Sequence, residues 1–75
     1  MGPEQLITGR IARLEALTAG LRRESLLIRE GNDPLLYLER QAYLNAIQTA
    51  LKCIETARVV LARASQRNRT ENSEG

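Results

Sequence analysis

Few side chains in this sequence are suited to covalent or acid–base chemistry. Cys53 is the single cysteine and histidine is absent. A thiolate would lack its customary imidazole base, and neither an internal disulfide nor a zinc set can be assembled. No activating cation lies on its own helical face, so Cys53 reads as a small apolar residue. Glu24 and Glu30 lack the apolar setting that tunes a carboxyl for general-acid use. No glycine-rich phosphate loop follows a strand, because no strand pattern exists. The expectation is a protein that is not an enzyme and takes no cofactor or metal.

The binding motifs are equally sparse. Asn68-Arg69-Thr70 matches the glycosylation sequon, but no route to secretion accompanies it, and chance accounts for it. Arg58, Arg63, Arg67 and Arg69 either meet a phosphate backbone or favour a helix C-terminus through its dipole, and the second reading is preferred. A net charge of +2 adds nothing to a nucleic-acid reading. Tyr37 and Tyr43 are the only aromatic residues; Tyr43 is expected to pack between helices, and Tyr37 to lie on the polar side, as a bystander or an interface anchor.

These residues must be placed by a very small fold. Seventy-five residues form one domain at most, and chains of this size need a staple or a partner. With no disulfide or metal available, partner-assisted stability remains. Hydrophobic residues at 43% and charged residues at 27% favour order. A core of Leu, Ile and Ala with almost no rings suits helices packed at short range. No apolar run is long enough for a signal peptide or a membrane span, so a cytoplasmic location is expected.

Gly31-Asn32-Asp33-Pro34 is the one strong punctuation mark. Gly31 or Asn32 closes a helix in the left-handed conformation, Asp33 caps the next, and Pro34 fits its first position. The predicted fold is all-α, a coiled-coil-like antiparallel two-helix hairpin within residues 1–66. Helix 1 covers about 4–30, the turn 31–33 and helix 2 about 34–65, with a disordered tail over 67–75 that contains no apolar residue.

Ile7, Ile11, Leu14, Leu21 and Ile28 mark the inner face of helix 1, with Thr18 and Ser25 filling the register and Leu17 widening the stripe. Leu36, Tyr43, Ile47, Ala50, Ile54, Ala57, Leu61 and Ala64 make a heptad seam on helix 2. Antiparallel pairing then sets Ile28 against Leu36, Leu21 against Tyr43, Leu14 against Ala50 and Ile7 against Ala57.

Apolar surface is left over. Gly9, Ala12, Ala16, Ala19 and Gly20 gather on the outer face of helix 1. They reflect either tolerated small residues in an alanine-rich helix or a second packing surface where another backbone approaches. On helix 2, Leu35, Ala42, Ala46, Cys53 and Val60 form one flank, and Leu44, Leu51 and Ala62 another. So wide an apolar arc calls for a further helix. The candidate partner-binding residues are Ala12, Ala16, Gly20, Leu35, Ala42, Ala46, Cys53 and Val60.

The run Arg29-Glu30-Gly31-Asn32-Asp33, then Tyr37 and Gln41, then Ala46-Ile47 and the Ala50 to Ile54 stretch, resembles the YscE/PscE-like small co-chaperones of type III secretion needles. The resemblance covers residues of about 10–62; Pro34, Leu35-Leu36 and the polar tail depart from it. It implies a bacterial cytoplasmic adaptor that pairs with a larger tetratricopeptide-like co-chaperone, so that together they keep the needle subunit monomeric. The alternatives are a self-associating hairpin forming a four-helix bundle, and a small nucleic-acid-associated regulator using Arg58, Arg63 and Arg67.

Overall fold

The computed structural model describes the backbone of residues 2–74 and the side chains of residues 2–71. It is an antiparallel hairpin of α1, Pro3–Arg29, and α2, Tyr37–Glu74. Pro3 takes the first helical position, where a missing amide costs nothing, and the Gly2 N–H donates to Gln5 Oε1 at 3.2 Å. α1 stops where the sequence places its stop. The Glu30 N–H reaches the Leu26 carbonyl and the Gly31 N–H reaches the Ile28 carbonyl, each at 3.1 Å. Gly31 supplies the left-handed turn at φ 78°, and Asn32 is not needed for it.

The entry into α2 differs from the expectation. Asp33 does not cap the helix; its Oδ1 accepts from the Leu35 N–H at 2.9 Å, closing a local turn over Pro34. The Arg40 guanidinium clamps that turn, reaching Asp33 Oδ1 at 3.4 Å and the Leu35 carbonyl at 3.2 Å. With residues 33–35 so engaged, the helix starts at Tyr37 instead of 34. The Leu36 N–H donates to Glu39 Oε1 at 3.0 Å, the carboxylate half of a capping box.

The longer connection moves the register. Tyr43 donates to Glu24 at 2.7 Å, about one turn from Leu21, its expected neighbour. Further along, Arg58 reaches Glu15 at 3.4 Å and Ser65 donates to Glu4 at 2.8 Å. The inner face of α1 is otherwise as predicted, with Ile28 buried and Ile7, Ile11, Leu14 and Leu21 half-buried. Leu17 is 56% exposed and does not widen the seam. On α2, Ile47 is buried and Ala50, Ile54, Ala57, Leu61 and Ala64 are half-buried. Leu36, at 70% exposure, and Tyr43 leave the seam, while Leu44 and Leu51, expected on an outer flank, are half-buried.

α2 extends to Glu74, beyond the expected end at about 65. Lack of apolar residues over 66–71 argues for solvation of that segment, not against helix. Glu4 accepts from Ser65 and from Arg69 Nε at 3.1 Å, tying this segment to the start of α1. Arg67 and Glu71 add an i,i+4 pair at 3.7 Å. Gly75 of the predicted tail lies outside the described residues.

Candidate interaction surface

The hairpin has two broad faces that differ in chemistry. One carries Arg58, bonded to Glu15 and, at 3.1 Å, to Glu55. Beside that cluster runs an interhelical groove in which Arg22, Ser25, Arg29, Gln48 and Lys52 surround the apolar Leu26 and Leu51. The opposite face holds the Tyr43–Glu24 bond and is poor in charge at mid-length. At 100° per residue, Leu6 and Leu17 of α1 turn toward this second face, as do Ala42, Ala46, Cys53 and Val60 of α2.

The predicted binding residues therefore divide into two surfaces. Ala42, Ala46, Cys53 and Val60 are exposed together along the flank of α2. Ala12 and Ala16 are exposed on the back of α1, directly away from α2, and Gly20 lies between that back and the second face. A shallow apolar groove lined by Arg13, Ala16, Leu17, Gly20 and Leu21 connects the two sides of α1. Leu35 stands apart, half-buried in the connection beside Arg40. Neither glycine of α1 is required by the hairpin. A Cβ at Gly9 or Gly20 would meet nothing within 4 Å, so their helix-weakening cost of about 1 kcal/mol has no intrachain reason.

One apolar cluster escaped the sequence reading. Around the connection, Leu26, Leu27, Leu36, Tyr37 and Leu38 are exposed by 60, 51, 70, 69 and 77%. The heptad position of Leu36 suits the seam for a helix beginning at 34. The later start strands it, and only the connection's hydrogen bonds reveal that. The doubling of apolar residues at Leu26-Leu27 and Leu35-Leu36 was the available signal, since one helical face cannot bury both members of such a pair.

Ionisable groups are tuned where the helices are tied. The Ser65 hydroxyl, and then the Arg69 guanidinium, hold the Glu4 carboxyl below its ordinary range against an opposing desolvation cost. The Leu35 amide does the same for Asp33, assisted by Arg40. The bond to Glu24 raises the Tyr43 hydroxyl. Arg58, Arg67 and Arg69, grouped in sequence as a basic cluster, each face a carboxylate in the structure. Asn68 of the sequon is half-buried on α2, and the Thr70 hydroxyl donates to the Gln66 carbonyl.

Among the described residues no three His, Cys, Asp or Glu side chains are grouped to hold a metal ion. No helix there is long and apolar enough to cross a membrane. No family model matches the chain, and no curated protein or solved structure matches it either.

Proposed function

We propose that the chain is a non-catalytic adaptor whose exposed apolar surface docks on a helical-repeat protein, and that the pair keeps a type III secretion needle subunit monomeric in the bacterial cytoplasm. The docking reading is carried by one imbalance. Among the described residues the buried apolar side chains are Ile28 and Ile47, whereas ten large apolar side chains are exposed. Apolar area of that extent, concentrated on a rod, is the mark of a surface awaiting a partner. The narrower assignment is supported by the resemblance of residues of about 10–62, whose family pairs a small hairpin with a tetratricopeptide-like protein. The physical need is plain, because a subunit that polymerises through an amphipathic helix must have that helix covered before export.

The test is co-expression with a tetratricopeptide-like co-chaperone of a type III secretion system, followed by addition of the needle subunit. A stable hairpin–repeat complex that slows needle assembly is expected. Ala46→Glu should weaken that complex, because the new charge is desolvated on binding, while helicity is retained. Needle assembly at the same rate with and without the complex would overturn the secretion reading. Failure of every helical-repeat candidate to bind would overturn the adaptor reading.

A further inference from the structure

We infer that in the free protein the face carrying Leu17 and Cys53 is covered by a second copy of this chain, packed antiparallel about a two-fold axis that crosses both helices near mid-length. The inference uses only the hairpin and holds whatever the adaptor's partner proves to be. Along α2, Glu39, Ala46, Cys53, Val60 and Arg67 recur at every seventh residue, the spacing that keeps side chains on one side of a supercoiling helix. All five are exposed. Their chemistry reads symmetrically outward from Cys53: an apolar residue on each side, then an acid at one end and a base at the other.

Turned end for end about Cys53, this ladder sets Ala46 against Val60 and Glu39 against Arg67 of the second copy. α1 repeats the pattern with Arg10, Leu17 and Glu24. Reflection about Leu17 sets Arg10 against Glu24. The two centres stand at nearly one level. Glu15 bonds Arg58 and Glu24 bonds Tyr43, so Leu17, lying between them on α1, falls within about one turn of Cys53. A single two-fold axis therefore satisfies both ladders. The parallel alternative gathers Glu24 and Glu39 at one end and Arg10 and Arg67 at the other, which opposes like charges.

The exposed area fits the same occupant. A compact 8.4 kDa monomer exposes about 4,600 Å², whereas this hairpin exposes 5879 Å². The surplus, roughly 1,300 Å² per chain, is what each protomer of an obligate homodimer removes from water. Chain symmetry explains why the surplus is self-complementary, as a two-fold contact requires of its patch.

The native cysteine makes the arrangement testable without substitution. Sedimentation equilibrium of the reduced full chain should return twice the 8.4 kDa protomer mass. Mild oxidation should then link the dimer through Cys53, with helicity unchanged by circular dichroism. Moving the thiol, with Cys53→Ser and Ala46→Cys together, should abolish the link, because antiparallel pairing holds the two copies of position 46 about 21 Å apart along the axis. Arg10→Glu should weaken dimerisation about tenfold by opposing two carboxylates. Adding Glu24→Arg should restore it. A monomer at all concentrations overturns the proposal, as does a dimer that links readily through position 46 or fails to link through Cys53. None of these outcomes depends on finding the helical-repeat partner.

Discussion

At the scale of single residues, stability is concentrated in very few places. Ile47 is 3% exposed and Ile28 7%, and the small buried Ser25 and Ser65 let the helices approach around them. Ile47→Ala should destabilise the hairpin by about 2–5 kcal/mol. Leu36→Ala, at a position the heptad pattern assigns to the same seam, should change the melting curve little, since the side chain is already in water. Equal losses in the two variants would return Leu36 to the core. Glu4 offers a second test. Its carboxyl titrates below the ordinary value of 4.5 because it accepts from Ser65 and Arg69. The tie is therefore complete above the ordinary carboxylate range and lost as pH falls through the lowered folded value. Glu4→Gln should melt earlier at neutral pH and lose less stability on acidification. A parallel acid profile for variant and parent would mean that the tie contributes nothing.

At the scale of elements, the inner stripe of α1 and the stop at Gly31 were legible because each rests on local chemistry: a helical period and a left-handed glycine. The start of α2 was not, because two local solutions compete for the same residues. Asp33 followed by Pro34 is a good helix start, but it is an equally good side-chain turn, and Arg40, a full turn into α2, decides between them through its bond to Asp33. That choice moves the start to Tyr37, shifts the register and strands Leu36. Of the candidate binding residues, the exposed flank of α2 could be read from its heptad spacing. The cluster around Leu26, Leu38 and Tyr37 was signalled only by its paired leucines, since its exposure follows from the register. The contact that ties the far end of α2 to α1 is not local either, as Glu4 and Arg69 are 65 positions apart. Deleting residues 67–75 should accordingly lower the thermal midpoint, with Arg69 removed from Glu4 and α2 shortened beside the start of α1. An unchanged midpoint by circular dichroism would show that the segment beyond Gln66 is energetically independent.

At the scale of the whole molecule, the chain is a rod measuring 58 × 18 × 13 Å, with a radius of gyration of 17.3 Å, where a compact chain of its length has about 11 Å. A two-helix rod has one interhelical seam and no second layer, which is why no side chain among the described residues is completely enclosed. Stability in such a molecule is coupled to whatever covers the remaining apolar surface, since a ligand of the folded state alone raises the apparent stability by mass action. For a self-covering dimer the ligand is the protein itself. Each tenfold rise in chain concentration then contributes about 1.4 kcal/mol per dimer, so the thermal midpoint should climb steadily across a hundredfold dilution series. Ala46→Glu should flatten that dependence and lower the midpoint toward that of the isolated hairpin, because the introduced charge faces the symmetry-related Val60. A midpoint independent of concentration for the parent chain would place its whole stability within the single Ile28–Ile47 seam, and the exposed face would then contribute only on meeting a different protein.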